Sequence, residues 1–217
     1  MKIPPCISRA RVTAMLCLLI ATASEAGIVQ IMSPDAAYTG STTRIDITGQ
    51  DLSQATSLSD AALIATFAAS TIRTVGSTWA SWSSPPDSES AMPRILHHAG
   101  GSLTFSFSHA LDVFGIEAEG DELGIHPFTA TFYNGADVVG SLSRSIDGNA
   151  GARLLAAEAT GGDVFTSVTI SMPGDFAFAQ FRYSLADVPA TVPEPGSLAL
   201  AAVGLVALRT GGRRARP

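Results

Sequence analysis

The chain has 217 residues, 46% hydrophobic and 15% charged, with a formal net charge of −6, a length that suits one domain of ordinary size. Residues 27–197 hold six arginines and no lysine against 18 of the 19 acids, a balance of −12, and such a surface repels phosphate backbones, which excludes nucleic-acid binding. Both cysteines, Cys6 and Cys17, lie near the start, so the body has no disulfide, no cysteine nucleophile and no thiolate metal centre.

Lys2, Arg9 and Arg11 precede the apolar run Ala14–Ala21, and the small-residue patterns Ala21-x-Ala23 and Ser24-x-Ala26 follow it. The run is too short for a permanent span of the hydrocarbon layer. Together these features predict a secretory signal peptide over residues 1–26, removed by signal peptidase after Ala26.

In the body, strands are expected at Ile28–Met32, Arg44–Thr48, Ile72–Val75 and Trp79–Trp82. Ser59–Ala69 reads as a short helix, because Leu63, Ile64 and Phe67 fall at i, i+1 and i+4. Residues 81–92 read as a polar loop. Leu103–Ser108 is the clearest strand, with Leu103, Phe105 and Phe107 on one face, and Asp112–Ala118 follows with Phe114, Ile116 and Ala118 in register. Pro127–Tyr133 and Val138–Ser143 flank Asn134-Gly135, a strong hairpin signal. Val164–Ser171 and Phe176–Tyr183 close the domain around a Pro173-Gly174 turn. This spacing predicts an all-β fold, a single antiparallel β-sandwich of jelly-roll-like form over residues 27–190.

The chain ends in Val192-Pro193-Glu194-Pro195, an apolar stretch over residues 198–208, and a basic tail of Arg209, Arg213, Arg214 and Arg216. Eleven apolar residues rise about 16 Å as a helix, a short transmembrane helix that needs a thinned bilayer. The arginines beyond it would stay cytoplasmic, leaving the body outside the inner membrane. The prolines make residues 191–197 a stiff linker.

Little in the body points to chemistry. No Gly-x-Ser-x-Gly, His-Glu-x-x-His or phosphate-binding loop occurs, so no catalytic residue is expected. His97 and His98 are adjacent and on a strand would face opposite sides; with His109 and His126 at strand ends, no metal site is expected. Asp147-Gly148-Asn149 reads as a turn, calcium being the one ion left open. Glu117 and Glu119 share a strand face about 6.8 Å apart, a spacing compatible with a glycosidase pair, but opposite Phe114, Ile116 and Ala118 they read as a solvated face. Trp79, Trp82 and Tyr133 are the candidate carbohydrate contacts, since sugar-binding modules stack rings on exposed aromatics. At three residues apart, one of the two tryptophans is expected in the core.

The three-part C-terminus resembles the PEP-CTERM sorting signal, a Pro-Glu-Pro box, a hydrophobic helix and a basic tail in that order; the segment also goes under the label ice-binding protein C-terminal motif, which names no activity. The resemblance implies processing by a membrane-embedded exosortase near Pro193-Glu194-Pro195, in an exopolysaccharide-producing Gram-negative cell. The body is similar to β-sandwich passenger domains of such proteins, in Gly101–Glu119 with its Val113-Phe114-Gly115-Ile116 segment, in Phe128–Gly140 and in Phe176–Tyr183. It departs from them where their last strand carries an acidic pair and this chain has Ala179-Gln180. The expectation is an exported, non-catalytic surface or matrix protein, transiently anchored in the inner membrane and associated with exopolysaccharide. A carbohydrate-binding module is the alternative, and a secreted hydrolase a more distant one.

Overall fold

A computed structural model describes residues 27–74, 79–149 and 151–187. The predicted signal peptide, the linker and the sorting segment with its apolar helix lie outside the described residues. Among the described residues no helix is long and apolar enough to cross a membrane.

The elements in chain order are β1 (Gly27–Ile31), α1 (Ala36–Ser41), β2 (Thr43–Ile45), β3 (Gln54–Ser59), β4 (Ile64–Thr74), β5 (Ile95–His98), β6 (Ser102–Gly120), β7 (Ile125–Asn134), β8 (Asp137–Asp147), β9 (Arg153–Thr160), β10 (Phe165–Ser171) and β11 (Phe176–Leu185). The fold is all-β, and antiparallel ladders join the eleven strands into one sheet.

The expected strands Leu103–Ser108 and Asp112–Ala118 are parts of one 19-residue strand, β6. Its first half pairs with β10 and β4, its second with β9 and β11. Nine residues of straight strand span about 30 Å, yet the rings of Phe105 and Phe114 lie 5.7 Å apart. The strand therefore doubles back between them, where its register against β10 jumps from Ser106 to Leu111. The sheet folds over at this bend, and a phenylalanine core fills the fold. Phe67 meets Phe178 at 5.7 Å, Phe128 meets Phe176 at 5.9 Å and Phe114 meets Phe132 at 6.2 Å. Eight phenylalanines are fully buried, each stabilising the fold by roughly 1.5–3 kcal/mol relative to exposure.

Two local expectations are corrected. Ser59–Ala69 is the turn between β3 and β4 and the start of β4, with no helix. The Asp60 carboxylate accepts the backbone N–H of Ala62 and of Leu63 at 2.8 Å, which closes the turn, and Ala65 and Phe67 are buried while Ile64 and Thr66 are exposed. The period is 2, and pairing with β3 and β6 overrides the i, i+4 pattern. Trp79–Trp82 is a turn, its Trp82 N–H donating to the Trp79 carbonyl at 3.3 Å. The Asn134-Gly135 hairpin forms, with Asn134 paired to Asp137 and Gly135 at φ +61°. β5 and β9 carry no alternating signal because Ile95-Leu96 and Leu154-Leu155-Ala156-Ala157 are buried on both faces.

Candidate functional site

Along the second half of β6, Phe114, Ile116 and Ala118 face the phenylalanine core, and Val113, Gly115, Glu117 and Glu119 face the other way. That second face is not solvated, which corrects the expectation: Glu117 and Glu119 are both 0% exposed. The cover comes from α1 and from residues 79–92. Tyr38 of α1 packs with Val113, Leu154 and Ala156 in a small apolar cluster. Gly115 permits that approach, since a Cβ there would collide with the Tyr38 Oη and stand 2.7 Å from the Ala156 Cβ. On β11 the residues opposite Glu117 and Glu119 are Ala179 and Ala177, small enough to admit a covering segment.

The cover is held by polar bonds to the two buried acids. Trp79 Nε1 donates to Glu119 Oε2 at 2.9 Å. The Glu89 backbone N–H donates to Glu117 Oε1 at 2.6 Å. The Glu89 carboxylate in turn receives a two-pronged contact from Arg182, at 2.6 Å from Nε and 2.8 Å from Nη2. Arg182 also donates to the carbonyls of Thr39 and Thr42 at 3.1 Å, so the chain Glu117–Glu89–Arg182 ties the covering loop to the end of α1.

Burial dominates the electrostatics. It pushes the Glu117 carboxyl up to about 8, opposed by the Glu89 backbone N–H and helped by the Glu89 charge. It pushes Glu119 up to about 7, with Ser81 and Trp79 pulling down. Glu117 Oε2, Glu119 Oε1, Trp82 Nε1 and Tyr38 Oη have no hydrogen-bond partner, though Trp82 lies close enough to Glu117 to lower its pKa. Tyr38 is raised by burial and then by the Glu89 charge. The carboxyls are thus a shielded pair on the protonated side of ordinary acids, with no surface through which a sugar could reach them. A groove of about 370 Å³ between α1 and residues 85–89 runs along the cover itself, lined by Glu89 and Arg182, and another of about 290 Å³ lies around Arg44, Arg94 and Gln180.

Of the candidate carbohydrate contacts, Trp82 is 6% exposed and belongs to the core. Trp79 is half-buried and leans on His97, ring centres 5.8 Å apart. Tyr133 is half-buried near the β7–β8 hairpin, five residues along β7 from Phe128, which packs under Gly120; that is roughly 17 Å of strand away from the Trp79 end. The structure does not bring the three together. His97 and His98 do face opposite sides: His98 is buried edge-on to Phe176 at 5.4 Å, with Nε2 3.0 Å from the Ser102 carbonyl. His97, on the outer side, converges with Asp121 and Asp175, their ligand atoms all within 4.8 Å of one another. Sequence reasoning missed this cluster because its members are distant in the chain. It also missed the covered face, for which two tryptophans flanking a polar loop were the available signal, since such rings seek an apolar surface.

Comparison with known families finds a PEP-CTERM protein-sorting motif at residues 191–215, which contains Val192, Pro193, Glu194, Pro195, Arg209, Arg213 and Arg214. The motif implies exosortase-dependent sorting to the cell surface. No curated protein matches the chain.

Proposed function

From this sorting motif we propose that the protein is an exported, non-catalytic surface or matrix component, delivered by exosortase and associated with exopolysaccharide. The motif at residues 191–215 is the observation that carries the reading. Residues 1–26 act as the signal peptide, the helix over 198–208 holds the chain in the inner membrane, and processing near Pro193–Pro195 releases the body from that anchor. The folded-over sheet is the jelly-roll-like sandwich that is displayed. Support for a non-catalytic role comes from Glu117 and Glu119, the two acids a glycosidase would need, which are sealed under Trp79 and Glu89. The net charge disfavours direct binding to an acidic polymer and suits solubility. The carbohydrate-binding alternative loses Trp82 to the core and retains Trp79 and Tyr133 at separate places.

The test is fractionation of cells with and without the exosortase. In the normal strain the body is recovered beyond the inner membrane at the mass of a chain cut near Pro193. Without the enzyme it stays in the membrane fraction with its tail attached. Identical location and mass in the two strains would overturn the sorting reading, and turnover of any glycoside that is lost in Glu117→Gln would overturn the non-catalytic one.

A further inference from the structure

His97 projects from β5, Asp121 lies in the turn between β6 and β7, and Asp175 precedes β11. The fold brings these three separate segments to one end of the sheet, where a nitrogen and two carboxylate oxygens lie within 4.8 Å of one another. Asp175 is held in place, its Oδ1 accepting the Gly100 N–H at 2.8 Å and its carbonyl accepting the Asp121 N–H at 2.9 Å. Asp121 is exposed and His97 and Asp175 are half-buried, so one side of the cluster opens to water.

Two further observations bear on what this cluster can bind. The His97 Nε2 is shut off from solvent and has no hydrogen-bond partner, an arrangement that is costly unless some other group takes the nitrogen. The two carboxylates repel each other at this separation, and among the described residues no salt bridge reaches either one. The strongly basic side chains between residues 27 and 187 are six arginines, and Arg44, Arg153 and Arg182 form ion pairs with Asp46, Asp87 and Glu89.

From this geometry we infer that His97, Asp121 and Asp175 form a binding site for a divalent transition-series cation of the zinc class, three protein ligands with the remaining positions filled by water. This departs from the sequence expectation of no metal, and it stands independently of the sorting reading. Three atoms within 4.8 Å of each other have a point no more than about 2.8 Å from all of them (4.8/√3), against about 2.0–2.2 Å for zinc bound by imidazole and carboxylate. Rotation of the exposed Asp121 side chain and a small shift of the other two close that gap. The imidazole decides the class: calcium and magnesium take oxygen ligands, and a nitrogen donor suits zinc and its neighbours. The half-buried Trp79 ring beside His97 limits the ring's motion and shields one side of the site.

The test is calorimetric titration of the chelator-treated full-length protein with Zn²⁺ and, separately, with Ca²⁺. The expected result is one saturable Zn²⁺ per chain and a melting temperature that rises with Zn²⁺ concentration. His97→Ala and Asp121→Asn should each weaken Zn²⁺ binding by on the order of 100-fold, while His109→Ala, at the bend of β6, leaves it unchanged. Because Asp121 is exposed, its variant folds, and equal melting temperatures of metal-free wild type and variant check this. Absence of saturable Zn²⁺ binding, or binding equal in all variants, overturns the site. Binding of Ca²⁺ as tight as Zn²⁺ and indifferent to His97→Ala overturns the nitrogen-ligated assignment.

Discussion

Trp79 Nε1 and Glu119 Oε2 form a 2.9 Å hydrogen bond across 40 residues of sequence, joining the covering loop to the buried outer face of the central strand. Trp79→Phe keeps an aromatic ring but removes the indole N–H, so the buried Glu119 carboxyl loses this hydrogen bond. The expected loss is about 1–3 kcal/mol of unfolding free energy, read from urea denaturation. In a double-mutant cycle, Trp79→Phe combined with Glu119→Leu should cost less than the sum of the two single changes.

Glu117 sets a pH dependence whose sign follows from its burial. The folded carboxyl is raised from 4.5 to about 8, so the folded state holds a proton that the unfolded state releases. The contribution of this group favours folding most at and below pH about 4.5, declines as pH rises toward about 8, and is flat beyond. Denaturation midpoints measured at intervals from pH 5 to 8.5 should show that fall, and Glu117→Gln should remove part of the slope. A wild-type midpoint curve identical to that of the glutamine variant would contradict the burial of an ionisable Glu117.

Gly115 is predicted to be intolerant of any side chain. A methyl group at this position would meet the Tyr38 Oη and the Ala156 Cβ, pushing α1 away from the sheet. Gly115→Ala should destabilise the fold by about 1–3 kcal/mol, the usual range for overpacking. Adding Tyr38→Phe, which deletes the colliding oxygen, should recover part of that loss in thermal melts.

Phe114 stands where the two halves of β6 meet, its ring within 5.4–6.2 Å of those of Phe105, Phe107, Phe132 and Phe181. Phe114→Ala should cost about 3–5 kcal/mol, a large share of what a domain of this size has. Thermal melts followed by circular dichroism should show a clearly lowered midpoint.

Removal of the leader is a further expected outcome. The mature N-terminus should be Gly27, giving a cysteine-free exported protein. Mass spectrometry of the envelope fraction checks it, and an intact Met1 on the envelope form would refute it.

The sequence by itself determined the all-β class, the β7–β8 hairpin and the sorting address. Each of these is written in neighbouring residues: alternation in Leu103–Phe107, the Asn134-Gly135 turn, and a Pro-Glu-Pro box, an apolar run and a basic tail in that order. Only the tertiary structure decided the doubling back of β6, because residues 107–110 look like more strand until β10 and β11 are present to pair with its halves. Tertiary structure likewise decided the environment of Glu117 and Glu119, since alternation says which side of a strand a residue takes and nothing about what lies on that side. His97, Asp121 and Asp175 became neighbours for the same reason. Period and turn chemistry act over a few residues, while burial and ligand geometry depend on segments that meet only when the sheet closes.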